Sequence, residues 1–337
     1  MQAELAEIVR AVGFGDVPGA VLDVAVIELN AAGSPVAEAN VLLSDGKIQF
    51  PDPPGAPDPP FPASLLKLMV AIGVLRLADS GAVDLGGRYD FDPAGAPNDA
   101  CGGPASATIR EYLDAMITWS SNPATCALVK LLHERSAVDP LNALFAARGL
   151  DLSLAGTRPV DGGGWSGARM TAWSTARLLL TGPELVSAGS WELLLRLLGE
   201  QGLNHTLSTA NFGDLPYPAA GIPQRVAERW IDPESGAVTV GRRAYGVDIR
   251  AGQRLAEVSF AHKTGLTIEA CCDAGIVHAL PGKPGRDYIV AMLSNRGSHE
   301  RDPHRPAGSP MPNSEKFAQL GRAIDELMLD RRLRQRR

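Results

Sequence analysis

The sequence predicts an α+β fold: an antiparallel sheet drawn from both ends of the chain, with an all-helical domain inserted between. Three observations predict it. Strand patterns occur near the start and return near the end, helical patterns fill the middle, and one further helical pattern closes the chain. That order is the mark of an α+β layout. The length, 337 residues, suits one large domain or two interlocked ones.

Taken in order, residues 2–13 carry a short amphipathic helical pattern. VLDVAVIEL (21–29) is rich in Val and Ile with apolar positions on both faces, a strand composition, and ANVLLSD (39–45) pairs with it through the AAGSP turn. PDPPGAPDPPFP (51–62) holds seven prolines and is therefore extended and non-helical. Helical patterns follow at 63–79, 108–118, 122–134, 139–148, 171–181 and 190–199, separated by Gly-rich loops at 85–107 and 156–169. Strands return as RLAEVSFAH (254–262), AGIVHAL (274–280) and DYIVAML (287–293), before a final helix at 314–333. The expected division is a discontinuous sheet domain, 1–62 together with 225–337, and a helical domain, 63–224. Their shared cleft is where a site is expected.

Composition narrows the function. The chain is 45% hydrophobic and 21% charged, with a net charge of -6, and such a surface does not recruit nucleic acid or anionic membrane. The terminal RRLRQRR is basic, but cations also suit the end of a last helix, and that reading is preferred. No apolar run reaches the ~18 residues of a membrane span. No signal peptide is visible at the N-terminus, so the expected address is cytoplasmic, or secreted if a leader was trimmed. Cys101, Cys126, Cys271 and Cys272 show no metal spacing and are read as reduced thiols, with a Cys101–Cys126 bridge as the alternative. No metal or cofactor is expected. His205, His262 and His278 carry no ligand spacing and are read as structural.

Three short motifs carry chemistry. In FPASLLKLMVAIGVL (61–75) a mostly apolar helix opens with Ser64 and places Lys67 one turn later. Residues three apart on a helix are neighbours, and an amine beside a hydroxyl in a dry site can take its proton and leave a nucleophile. The same pair also reads as an N-cap serine and a snorkelling lysine. In ITWSSNPATCALVKLL, Ser120 and Asn122 stand two apart in a turn between apolar helices, able to face one cleft or to start the second helix. His262-Lys263-Thr264-Gly265 ends a strand; alternation sends Lys263 and His262 to opposite faces, and Gly265 lets a ligand approach the backbone. Lysine is scarce, six against 26 arginines, so a lysine at two motif positions points to a titratable amine.

The order Ser64-x-x-Lys67, Ser120-x-Asn122, Lys263-Thr264-Gly265 resembles the penicillin-recognising serine enzymes, class A β-lactamases and penicillin-binding proteins. Each motif alone is weak; the three in order are specific. The resemblance spans roughly residues 15–330. It implies the β-lactamase/transpeptidase-like fold, with Ser64 as acylated nucleophile and Lys67 as its base. Ser120 would pass the proton to the leaving nitrogen, and Asn122 would hold the substrate's amide side chain. Lys263 and Thr264 would bind the substrate carboxylate, and the backbone N–H groups of Ser64 and of Leu266, beyond Gly265, would form the oxyanion hole.

The sequence departs from that pattern in one region. Class A enzymes release the acyl group with a water activated by a Glu on a loop after these helices, but residues 149–173 contain no Glu, only Asp151 and Asp161. Cys126 stands where such enzymes commonly have an Asn bracing that Glu. Asp161, beside three glycines, reads as a turn residue before it reads as a substitute base. Arg296 is a candidate for a second carboxylate contact. Residues 200–253 are longer than usual for the family and, with Tyr217 and Trp230, are candidates for a cleft wall. The expected function is therefore an acyl-serine hydrolase of β-lactam or related amide or ester carbonyls, with slow deacylation. A peptidase or transacylase, or a β-lactam- or peptide-binding sensor without turnover, are the alternatives.

Overall fold

The strand-forming runs at the two chain ends meet in one antiparallel sheet. The computed structural model describes residues 1–335 other than 16, 95–99, 205, 211–220 and 298–311. Strands β1 (Val21–Leu29), β2 (Pro35–Ser44) and β3 (Lys47–Gln49) form one half of the sheet, and β10 (Val258–Leu266), β11 (Cys271–Ala279) and β12 (Asp287–Ser294) the other. The order is β10-β11-β12-β1-β2-β3, so the first and last strands of the sequence pair at its centre, with Val26 opposite Val290 and Ala25 opposite Ala291. Among the described residues three two-stranded sheets lie elsewhere: β4 (Arg88–Phe91) with β5 (Ala105–Thr108), β6 (Leu152–Ser153) with β7 (Arg169–Met170), and β8 (Ala237–Val240) with β9 (Arg243–Asp248).

Both faces of the sheet are covered, which is why β1 reads as nearly continuous apolar residues. On one face lie α1 (Gln2–Ala11) and the terminal helix α9 (Pro312–Gln335), burying Leu5, Val9, Phe317, Leu320 and Ile324 against Val24, Val26, Val290 and Met292. On the other lie α2 (Lys67–Asp79), α3 (Ile109–Thr118), α4 (Asn122–Glu134), α5 (Val138–Ala147), α6 (Ala172–Thr181) and α7 (Ala188–Gly199). Short polar caps set their starts. Thr108 and Glu111 form a reciprocal capping box at α3, Thr171 caps α6 and Ser187 caps α7. A single turn of helix, α8 (Arg250–Leu255), precedes β10.

Two expectations are corrected. The strand read at 254–262 is helical to Leu255, and β10 runs on through Leu266, so the Lys263-Thr264-Gly265 motif lies inside the strand. Periodicity ended the strand early because Lys263 is polar yet fully buried. The cysteines are not all reduced: Cys101 and Cys126 form a disulfide with Cα atoms 5.5 Å apart, while Cys271 and Cys272 are free and buried. A separation of 25 residues carries no pairing signal. The pair forms because Cys126 sits one turn into α4, facing the segment before β5.

The basic end of the chain is used internally. Arg331 pairs with Glu28 and Glu4, and Arg334 with Glu4, tying α9 to α1 and β1. Among the described residues no helix is long and apolar enough to cross a membrane.

The disulfide closes a loop of moderate length, for which chain entropy alone gives about 3 kcal/mol. Cys101→Ser with Cys126→Ser should lower the denaturant midpoint accordingly, and so should reduction of the wild type. A midpoint indifferent to both would show that packing alone holds this segment.

Candidate functional site

The proline run delivers the chain to Ser64 in a bent conformation. Pro62 carbonyl accepts from Leu65 N–H at 3.0 Å, and Ala63 is in the left-handed region at φ 48°. That position costs a non-glycine residue about 1 kcal/mol. Residues Ala63–Leu66 form a 3₁₀ turn that leads straight into α2. From Lys67 to Leu75 every residue of α2 is buried, which is the signature of a central core helix. Ser64 itself stays partly exposed at the helix entrance.

Lys67 is the exception in that core: a fully buried amine. Its Nζ donates to Ser120 O at 2.7 Å, to Ser120 Oγ at 2.9 Å and to Asn122 Oδ1 at 2.9 Å. Three ammonium protons meet three oxygens. Ser120 can offer both its oxygens because it too is left-handed, at φ 62°. Ser121 then caps α4 by accepting from Ala124 N–H, so Asn122 is not the cap and its amide turns to Lys67. The expected neighbour in the helix, Ser64, is not among the three acceptors; the amine leans toward the 120–122 turn. Burial holds the Lys67 amine well below its usual pKa, and the positive charge of Lys263 adds to the shift.

Lys263 approaches from the sheet edge. It is fully buried, its Nζ donates to Thr264 O at 2.8 Å, and burial pulls its pKa down to about 7 against the opposing pull of Asp273. Strand alternation puts Lys263 on the side of the helical layer with Ala261, and His262 and Thr264 on the other side. Thr264 stands opposite Asp273 in the sheet register. Gly265 brings β10 against the Ser64 turn. A Cβ there would lie 2.7 Å from Pro62 O and 3.0 Å from the backbone nitrogens of Ser64 and Leu65. Cys272, its partner on β11, reaches Phe61 O with its thiol at 3.6 Å. Only glycine lets the strand backbone, with Leu266 next, lie against the N–H groups that open the Ser64 turn.

The remaining candidates fall elsewhere. Asp161 is buried; Arg158 Nε and Nη2 hold its two carboxylate oxygens, and Gly163 N–H donates to Oδ1 at 2.9 Å. Beside it, a Cβ at Gly162 would lie 1.9 Å from Cys126 O, so this loop rests directly on α4. Arg296 donates through Nη2 to Pro18 O. Trp230 anchors a separate small core with Val226, Val238 and Val240. Tyr217 and His205 lie outside the described residues. His278 is exposed and bonded to Asp287. Sequence reasoning missed Gln201, Asn204 and Asp273, which are fully or almost fully buried and surround His262. Nothing in their spacing announces them.

The layered sheet and the inserted helices define a β-lactamase-like fold. The chain belongs to the beta-lactamase enzyme family, whose model matches residues 57–327. Among solved structures it is similar to PBP-A, with TM-score 0.60 and 20% identity over 97% of this chain and 96% of that one. A PBP-A mutant in an acyl-enzyme complex with penicillin G gives TM-score 0.59 and 18% identity over 96% of each chain. A representative class A beta-lactamase from Bacteroides cellulosilyticus DSM 14838 gives 0.60 and 16% over 97% and 99%. Curated proteins give no match.

Gly265→Ala would push β10 off the Ser64 turn while leaving both cores intact. If Ser64 is the reacting group, as proposed below, the expected result is a folded protein whose reaction there slows roughly a hundredfold, the scale of a misplacement of about 1 Å. Near-wild-type rates would show that the close approach has no chemical consequence.

Proposed function

We propose that the chain is an acyl-serine hydrolase that opens β-lactam or related amide or ester carbonyls through Ser64 and loses the acyl group slowly. The carrying observation is the buried Lys67 amine, 2.9 Å from both Ser120 Oγ and Asn122 Oδ1, at the foot of the Ser64 turn. In its neutral form Lys67 exchanges one donor proton for a lone pair and can accept the Ser64 proton. The contact with Ser120 Oγ then offers a route for that proton to the departing nitrogen. Asn122 orients the substrate amide and Lys263 takes its carboxylate, while Thr264, expected beside it, is turned by strand alternation to the face of His262. The N–H groups of Ser64 and Leu266 receive the developing oxyanion. The unit is the pair of domains 1–62 with 225–337 and 63–224, working at their common cleft.

Slow release rests on residues 149–173, which lack Glu and commit Asp161 to Arg158. Loss of a general base costs about 10²–10⁴ in rate. Penicillin should therefore leave a lasting adduct on Ser64, read by intact-mass spectrometry and absent in Ser64→Ala. Asp161→Asn should not shorten or lengthen its lifetime. Rapid turnover without an adduct would reject slow deacylation, and an adduct that lasts markedly longer in Asp161→Asn than in wild type would make Asp161 the base.

The same loop favours a second reading, transfer of the acyl group to an amine or alcohol by a peptidase or transacylase. An added amine nucleophile would then speed loss of the adduct. A persistent adduct indifferent to every acceptor and to peptides would instead mark a sensor.

The two lysines set opposite limbs of a pH profile. Lys67 must be neutral to act as base, so the second-order acylation constant rises with pH through its depressed pKa. Lys263 must be charged to hold a carboxylate, so the constant falls as pH rises through about 7. Lys263→Arg should remove the falling limb and keep the rising one; a limb unmoved by that change would exclude Lys263 as its source.

A further inference from the structure

We infer that His262 is a positioning residue, a buried imidazole with both ring nitrogens protonated, which ties the Lys263 strand to the segment after α7 and through it to the Ser120 turn. Its catalytic meaning rests on the reading of Ser64, Ser120 and Lys263 given above.

The hydrogen-bond pattern fixes the protons. Asn204 donates through Nδ2 to Gln201 O at 3.2 Å, and a backbone carbonyl can only accept. Asn204 Oδ1 is thereby the atom that faces His262 Nε2, at 2.7 Å, and a carbonyl oxygen there requires an N–H. On the other side, Asp273 Oδ2 accepts from Leu207 N–H at 3.1 Å, and Asp273 Oδ1 lies 2.7 Å from His262 Nδ1. That contact needs one proton between the two atoms, and imidazole, intrinsically a stronger base than a carboxylate, takes it as a second N–H. The ring is an imidazolium facing the Asp273 carboxylate. The ring cannot slide out of this position. It stacks on Phe260 with centroids 4.0 Å apart, and a Cβ at Gly275 would fall 2.4 Å from His262 Cβ.

The network continues to the other side of the site. Gln201, fully buried, donates through Nε2 to Ile117 O at 3.0 Å and toward His262 O at 3.5 Å. Gly202 N–H donates to Thr118 O at 2.7 Å. Ile117 and Thr118 end α3, with Trp119 between them and Ser120, and His262 directly precedes Lys263. One buried polar chain therefore spans Asp273, His262, Asn204 and Gln201 and grips both segments that present the reacting groups.

The direct test is nitrogen-15 spectroscopy of histidine-labelled wild type at pH 7, with the His262 signal assigned by its loss in His262→Gln, or in Asn204→Ala by its shift. The expected signature is two protonated, slowly exchanging ring nitrogens; a neutral ring with one N–H would overturn the proposal. The kinetic arm uses His262→Phe, which keeps the stack and loses both hydrogen bonds, and Gln201→Leu, which releases both carbonyls. Each should slow the first-order acylation step by roughly tenfold to a hundredfold and change the dissociation constant of the pre-acylation complex less. If either folded variant acylates at the wild-type rate, the positioning role is wrong. If wild type forms no adduct with any β-lactam or ester while the spectroscopic signature is present, the functional reading has failed and the protonation of His262 has not.

Discussion

A lysine amine shut away from solvent has to be surrounded by acceptors. Burying an unpaired charge of this kind costs several kcal/mol, so the position of Lys67 dictates much of what lies around it. The Ser120 backbone must turn left-handed for its carbonyl and its hydroxyl to face the same nitrogen. Ser121 must take over the capping of α4 for Asn122 to lend its amide oxygen. The helices α2, α3 and α4 must close on one another, since any water beside the amine would restore its ordinary basicity. The same three oxygens that satisfy the charged form leave the neutral form short of one donor and supplied with a lone pair. A structural requirement and a chemical capacity are met by a single arrangement.

The second constraint is steric. Gly265 carries the strand edge to within contact of the Ser64 turn, and no side chain fits between them. Ala63 and Ser120, the two left-handed residues at the site, lie on the opposite side of that contact. Strain of this kind persists only where the surroundings over-determine it. Here the surroundings are the apolar core around α2 on one side and the six-stranded sheet on the other. The disulfide from Cys101 to Cys126 adds a covalent brace one turn beyond Asn122.

Much of this was legible in the sequence, and the reasons are local. Helices 109–118 and 122–134 and strand 21–29 were readable within a residue because their caps and apolar periodicity agree with their tertiary burial. The motifs at Ser64 and Ser120 could be named because each lies at the end of an element, where spacing translates into direction. What failed was long-range. Lys263 looked like the end of a strand because a polar residue normally marks one, yet β10 continues for three residues past it. The i, i+3 spacing correctly put Ser64 and Lys67 on one stretch of chain. It could not say that Ser120 and Asn122, more than fifty residues away, would supply the acceptors of the amine. Gln201, Asn204 and Asp273 were invisible for the same reason: each is an ordinary polar residue until the fold brings it beside His262. The Cys101–Cys126 bridge had no signature beyond an even count of thiols.

The region around Cys126 bears on the fate of an acyl group. Gly162 rests on the carbonyl of Cys126 with no space for a single carbon between them. The Cys101 sulfur lies 3.5 Å from the carbonyl of Asp161. The loop is thus pinned to α4 by van der Waals contact and by the disulfide together. Its one buried carboxylate is turned onto Arg158, which costs little because the guanidinium satisfies both oxygens. To serve as a base that carboxylate would have to give up a paired cation, and with it the two hydrogen bonds that hold the turn. A loop built this way spends its acid on its own shape, and on the reading proposed here an acyl group on Ser64 waits for a nucleophile that arrives from outside.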